Sequence, residues 1–266
     1  MVDKEKILEA LRSILGDRTA SWIHAMRYYC LLQASKANEV DMDLVPRLVR
    51  EGDVVIDIGA NSADWTWQLS KQVANSGRVL AFEVDPYYAE VTRKVIRLLR
   101  LKNVTFFPFG LSDKTMNAPL QIRTPANRRV VGTGHILTDQ LALTNGGGQT
   151  VQVQLRSLDE VLEVESLTKR IRLIKCDVEG HELNVFQGAI NTLNESRPFV
   201  VTEVGHTEYQ TDNEQELFSF FQKLNYKCYV VGPDNHSLHV AKLNDYYSTQ
   251  TRPNRIMIPE ERDRWS

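Results

Sequence analysis

The sequence predicts an α/β fold, a mostly parallel sheet with helices on both faces, preceded by a helical N-terminal extension. Three observations predict it. Asp53-Val-Val-Ile-Asp-Ile-Gly59 is a short, continuously apolar run that ends in a glycine turn, as strands buried on both faces do. Downstream, strand-like runs alternate with stretches whose apolar residues recur at helical spacing. The chain has 266 residues, 42% of them hydrophobic, which is enough to bury one sizeable core.

Taken in order, Ile7, Leu8, Leu11 and Leu15 recur at helical spacing, and a second helix is expected from Ser21 through Ala34. Residues 1–50 therefore form the extension, suited to capping a site or to pairing two copies as a homodimer, and residues 51–266 form the main domain. After the first strand come a strand over Arg78–Val84, a helix over Tyr87–Arg100 with Val91, Val95 and Leu98 on one face, and a strand over Val104–Phe109. Ile171–Val178 is the next strand, followed by a helix striped by Leu183, Phe186, Ile190 and Leu193 and a strand over Phe199–Val204. Leu217, Phe221 and Leu224 stripe another helix before a strand over Tyr226–Val231, with a last strand near Leu238–Ala241. Between the third strand and Ile171 the regularity breaks. Residues 123–149 carry Pro125, Gly132, Gly134 and Gly146-Gly147-Gly148, and a loop of that length is a candidate substrate lid or a flexible surface segment.

A formal charge of -2 supplies no broad basic field, which argues for a small-molecule substrate and against a nucleic acid. Cys30, Cys176 and Cys228 are widely spaced and show no paired zinc spacing, which suits a reducing compartment. Charged residues interrupt the apolar positions of the first fifteen residues, unlike a signal peptide, and no window approaches a membrane span. A cytoplasmic protein without a membrane partner is expected.

In open parallel sheets the ligand sits beyond the carboxyl ends of the strands, so Gly59 and the residues after it should floor the site. A dinucleotide turn written G-x-G-x-x-G needs its later glycines so that backbone can approach a pyrophosphate. Here those positions hold Asn61 and Asp64. An aspartate at the helix opening repels a pyrophosphate but suits S-adenosylmethionine, which carries a positive sulfonium and no phosphate; a nicotinamide-dependent oxidoreductase is the reading this disfavours. Glu83 ends the second strand where an acidic side chain accepts hydrogen bonds from both ribose hydroxyls. Singly, Glu83 also fits a solvated strand-end charge and Asp57 a turn-stabilising carboxylate. Together, Asp57, Gly59, Ala60, Asn61 and Glu83 at this spacing outline a cofactor site.

The stretches Val-Ile-Asp-Ile-Gly-Ala-Asn (55–61), Val-Leu-Ala-Phe-Glu-Val-Asp-Pro (79–86), Leu-Ser-Asp (111–113) and Leu-Ile-Lys-Cys-Asp-Val-Glu-Gly-His-Glu (173–182) resemble the FkbM family of class I methyltransferases. Gln187-Gly188-Ala189 and the strand ending in Glu203 continue the likeness, which spans about 54–204. The resemblance implies the Rossmann-like class I methyltransferase fold, with a seven-stranded, mostly parallel sheet. It implies methyl transfer from S-adenosylmethionine, typically to a hydroxyl of a sugar, polyketide or related metabolite. It also puts Leu111 and Ser112 near the adenine. One residue departs from the pattern: Ala63 stands where such proteins commonly have glycine.

A neutral alcohol is a poor nucleophile, so a general base or a metal is expected near the acceptor. Asp177, Glu179 and His181 lie where a parallel strand emerges at the carboxyl edge, and Glu203 and His206 finish the next strand, only about 5 Å away. His181 or His206 suits proton transfer near neutral pH. Alternatively Asp177, Glu179 and Glu203 would hold Mg²⁺. Metal-free base catalysis is the preferred expectation, and no dedicated metal site is assigned. Glu179 also fits an ion pair with Lys175 or a helix cap, and either histidine fits a surface position. A non-catalytic cofactor-binding protein is the third function class considered. Tyr28, Tyr29, Arg128, Arg129, His135, Tyr209, Tyr246 and Tyr247 are candidates for the substrate pocket.

Overall fold

The computed structural model describes residues 4–34, 40–122, 135–136, 148–167, 170–203, 211–232, 237–240 and 254–263. Helix α1 (Lys4–Gln33) breaks at Gly16, whose φ of 75° and ψ of 159° are non-helical, so the two expected N-terminal helices are joined at a glycine kink. A 3₁₀ turn (Val40–Leu44) and the short α2 (Val45–Leu48) lead into β1 (Val54–Ile58). Then follow α3 (Asp64–Val73), β2 (Arg78–Phe82), α4 (Pro86–Leu99), β3 (Val104–Phe107) and β4 (Gly110–Leu111). A second group comprises β5 (Met116–Gln121), β6 (His135–Ile136), β7 (Thr150–Arg156) and α5 (Leu158–Val164). The chain continues through β8 (Ile171–Cys176), α6 (Glu182–Gln187), α7 (Ile190–Glu195), β9 (Phe199–Glu203) and α8 (Thr211–Lys223). It closes with β10 (Tyr226–Val231), β11 (Leu238–Val240) and β12 (Asn254–Pro259).

Among the described residues the main sheet has eight strands in the order β11-β10-β12-β9-β8-β1-β2-β3. From β9 to β3 every pair is parallel, while β12 pairs antiparallel with both β9 and β10, and β11 antiparallel with β10. The expected α/β architecture and mostly parallel sheet are therefore present, with one strand more than seven and a mixed edge. The strand the sequence did not suggest is β12, which enters between β9 and β10. The run from Val104 to Phe109 also divides: β3 stops at Phe107, and β4 turns into a second, four-stranded sheet ordered β4-β7-β5-β6. The predicted helix from Leu183 to Leu193 is two short helices separated at Gly188.

Residues of β1 alternate between two cores because both faces of the sheet are covered. Val54, Ile56 and Ile58 pack with Leu158, Leu162, Phe186 and Phe221 of α5, α6 and α8. Val55 packs on the other side with Leu48, Leu69 and Val73 of α2 and α3. A third cluster joins Ala20, Ala25 and Leu32 of α1 to Tyr87, Val91 and Val95 of α4, so the extension docks along one helix of the same chain.

Local signals account for several element starts. Asp85 accepts from the amides of Tyr87 (2.7 Å) and Tyr88 (3.3 Å), with Pro86 in the first turn of α4. Ser157 caps α5 through the Glu160 amide at 3.2 Å. Asp159 in turn accepts from the amides of Asn191 and Thr192 at the start of α7, at 2.8 and 2.9 Å. None of the described helices is long and apolar enough to cross a membrane.

Gly188 is the point where the α6–α7 break meets the end of β4. A Cβ added there would lie 2.0 Å from the Ser112 carbonyl oxygen, which is backbone and cannot swing aside. Gly188→Ala is expected to cost about 2–3 kcal/mol of stability, the usual penalty of overpacking. Urea denaturation reads this directly; an unchanged midpoint would mean that the two loops separate without cost.

Candidate cofactor and active site

The turn after β1 is shaped by a backbone contact. Gly59 has φ of 81°, and a Cβ there would sit 1.9 Å from the Asp177 carbonyl oxygen, so only glycine lets the ends of β1 and β8 come this close. The amides of Gly59 and Ala60 both donate to the Phe82 carbonyl, at 3.0 and 2.9 Å, and Asp177 N donates to Ile58 O at 3.1 Å. Three neighbouring strands thus end at one place, as parallel register requires.

Glu83 sits at that place, 7% exposed. Its Oε2 accepts from the Asn61 amide and its Oε1 from the Asp85 amide, both at 2.8 Å. Each oxygen keeps a second lone pair, so the carboxylate is fixed in orientation and still able to accept two more donors. Burial pushes its pKa up to about 7, against the pull of the two amides.

A cleft of about 1100 Å³, mouth included, opens here. Gly59, Ala60, Asn61 and Glu83 line it, as does Leu111 at the end of β4. Phe82, Val84, Phe109, Leu120 and Ile136 extend the apolar wall, and Asp64, Trp65, Asp177, Val178 and Glu179 line its other end. Two expected cofactor residues lie behind the wall. Asp57 is buried, accepting from Thr66 Oγ1 at 2.5 Å, and so anchors α3 to β1. The Ser112 hydroxyl bonds His181 Nε2 at 2.9 Å and donates to Asp113 at 3.0 Å.

That contact also settles the placement of His181. The ring is 6% exposed and is not among the groups lining the cleft, and burial pulls its pKa down to about 4. It is neutral at physiological pH and ties the end of β4 to the start of α6 through Ser112, away from the cleft wall where the expected proton acceptor was to stand. His206 lies outside the described residues, as do Arg128, Arg129, Tyr209, Tyr246 and Tyr247. Of the candidate lid, residues 135–136 are β6 and pair antiparallel with β5, which is how Ile136 reaches the cleft.

The carboxylates do converge. Glu203, at the end of β9, is hydrogen-bonded to Asp177 but is not itself among the groups lining the cleft, and burial, followed by the charge of Asp177, raises its pKa to about 8. Glu179 lines the cleft from a backbone with φ of 55° and is raised to about 7, first by burial and then by Asp177 and Glu182. Lys175, 1% exposed, pairs with Asp177 at 3.2 Å and lies 5.4 Å from the centre of the Trp65 ring. Among the described residues no three His, Cys, Asp or Glu side chains are grouped so as to hold a metal ion.

One residue of this site was missed as a functional element. Glu182 is buried, and its Oε1 accepts from the amides of Val178 (3.1 Å) and Gly180 (3.2 Å), which clamps the turn that carries Glu179. Its place two residues after Gly180 was the available signal, since a carboxylate in the first turn of a helix faces unpaired amides.

The model of the methyltransferase FkbM domain matches residues 57–228. The crystal structure of methyltransferase FkbM from Methylobacillus flagellatus KT superposes with a TM-score of 0.50 at 12% identity, over 87% of this chain and 58% of that one, which shows a shared fold. A stretch of 76 residues, 29% of the chain, is 30% identical to the ribosomal RNA large subunit methyltransferase E of Xylella fastidiosa (strain M23). The chain spans 30% of the length of that curated relative.

The raised Glu83 pKa has a thermodynamic consequence. A carboxyl that binds its proton more tightly when folded contributes stability that is fully present below its unfolded pKa and is lost as pH rises through about 7. Between pH 5.5 and 8.5 the ligand-free protein should therefore lose stability, with Glu83 accounting for roughly 2 kcal/mol of the change, nearly all of it below about pH 7.5. Thermal melts of the wild type and Glu83→Gln across that range check this: the variant should show a visibly shallower pH slope, and equal slopes would refute the assignment.

Proposed function

The chain belongs to the FkbM methyltransferase family, and on that premise we propose that it transfers the methyl group of S-adenosylmethionine to a hydroxyl oxygen of a small metabolite, sugar or polyketide-type acceptor. The observation that carries this reading is the cleft itself: an oriented ribose acceptor, Glu83, between an apolar slot and a group of carboxylates.

The residues fit such a cofactor by their chemistry. Val84, Phe109 and Leu111 offer the apolar faces an adenine needs, and Glu83 the acceptor pair for a ribose diol. Asn61 and the Gly59 backbone suit the methionine portion, with Asp64 and Asp177 offsetting positive charge. When bound, S-adenosylmethionine supplies a methyl group activated by a positively charged sulfur.

The protein's part is then alignment and proton management. Trp65 and Phe109 narrow the cleft and keep water from competing as acceptor. Asp177 and Glu203 form a hydrogen-bonded acid pair in which burial and mutual repulsion favour keeping a proton. As Glu203 gives up that proton at higher pH, the pair becomes a base: Asp177, its member on the cleft wall, meets the acceptor hydroxyl, and Glu203 behind it takes up the proton. Lys175, already bonded to Asp177, stabilises the negative charge of the pair. Glu179 lines the same cleft close enough to feel the charge of Asp177 and is the second group able to hold the acceptor hydroxyl. No step requires a metal ion.

Calorimetry with S-adenosylmethionine, S-adenosylhomocysteine and NADH is the direct test of the cofactor. Binding of the two adenosyl ligands, absent for NADH and lost in Glu83→Ala, supports the proposal; NADH binding with no adenosyl response would overturn it. For the chemistry, Glu203→Gln should retain S-adenosylhomocysteine affinity and lose about 10²–10⁴ in kcat. The wild-type rate should rise with pH toward about 8, where Glu203 ionises. A Glu203→Gln enzyme with an unchanged pH–rate profile would remove the pair from the mechanism.

A further inference from the structure

The first helix contributes one residue to the wall of the cleft. Tyr28 of α1 lines it together with Asn61, Glu83, Asp85 and Tyr88. These are the residues that surround the oriented carboxylate, so the tyrosine stands at the ribose edge of the site. We infer that Tyr28 contacts the cofactor, its ring covering the ribose that Glu83 holds. The inference rests on the cofactor reading above.

Several observations show that the ring is held in place. The His24 ring lies 5.0 Å from that of Tyr28, centroid to centroid, and is itself buried. On its other sides it meets the rings of Tyr87 and Tyr88 at 5.9 and 5.8 Å, with Nδ1 3.4 Å from the Tyr87 hydroxyl. The Arg27 guanidinium lies 5.6 Å from the centre of the Tyr28 ring. The segment that seats this cluster is the one that orients Glu83: the Asp85 amide donates to Glu83, and its carboxylate caps α4 through Tyr87 and Tyr88. An aromatic ring with an apolar body and a polar tip suits a sugar edge, where one face is hydrocarbon and the rim is hydroxyl.

Ala63 makes the same point from the turn. It adopts the left-handed conformation, φ 69° and ψ 25°, at the position where the family resemblance expects glycine. An L side chain there costs on the order of 1 kcal/mol in backbone strain. Its methyl group is fully buried in the cluster that contains Ala20 and Ala25 of α1, with Tyr28 packed against it. The strained methyl gives α1 a surface to rest on, which fits a helix that holds its one lining residue in place.

The test is calorimetry of S-adenosylhomocysteine with wild type, Tyr28→Ala, Tyr28→Phe and, as a control on the outer face of the same helix, Met26→Ala. Tyr28→Ala should bind at least tenfold more weakly, Tyr28→Phe within about threefold of wild type, and Met26→Ala unchanged. Thermal melts report whether each variant folds. If Tyr28→Ala does not, Tyr28→Leu, which keeps bulk without a flat face, is read by the same criterion. A folded Tyr28→Ala or Tyr28→Leu protein that binds within twofold of wild type overturns the inference while leaving the cofactor reading intact. Failure of the wild type to bind S-adenosylhomocysteine would overturn both.

Discussion

The site depends on a buried carboxylate that is held before any ligand arrives. Glu83 accepts one amide from the turn after β1 and another from the start of α4, so a single side chain joins the ends of two strands and the opening of a helix. A charge in that position is costly unless it is hydrogen-bonded, and the cost appears as a raised proton affinity. The arrangement leaves the group short of partners on its cleft side. On the proposed function, a ligand with a vicinal diol would supply the further donors, so the same residue would organise the fold locally and the binding chemistry.

The parallel half of the molecule was legible because β1, β2, β8 and β9 are buried on both faces and so read as continuous apolar runs. Val54–Ile58, Arg78–Phe82, Ile171–Cys176 and Phe199–Glu203 all appear where the hydrophobic pattern indicates. The second sheet was not legible for specific reasons. Pro119 lies inside β5, and a proline inside an apolar run ordinarily demotes it as a strand candidate. β7 alternates exposed and buried residues over Thr150–Arg156, a weaker signal than an unbroken run. The fully buried β12 is the short segment Asn254–Pro259, whose apolar residues become a strand only through pairing with β9 and β10.

At the site, residue type and strand-end position identified Gly59, Ala60, Asn61, Glu83, Leu111, Asp177 and Glu179 as groups that line the cleft. They could not separate a residue at a strand end from its neighbour on the opposite face. Asp57 and Ser112 are next to lining residues in sequence and turn inward, because successive residues near a strand end point to opposite sides; His181 lies past the strand altogether, at the cap of α6. Their contribution is indirect: Asp57 fixes α3, and the Ser112–His181 contact fixes the spacing between the apolar slot and the carboxylate group. Glu182 acts the same way on the strained turn at Glu179.

The position of β12 bears on how the protein is made. Synthesis proceeds from the N-terminus, so β9 and β10 are complete before the strand that separates them has been translated. Until then β9 presents an unpaired edge, and the most direct local error is for β10 to zip onto it without leaving a gap. The antiparallel insertion therefore makes sheet closure a late event in biogenesis. Glu203, whose partner across the ladder is Asn254 of β12, reaches its final surroundings only when that event is complete. The acidic pair would then be among the last features to mature, after the end of the cleft around Glu83 is in place.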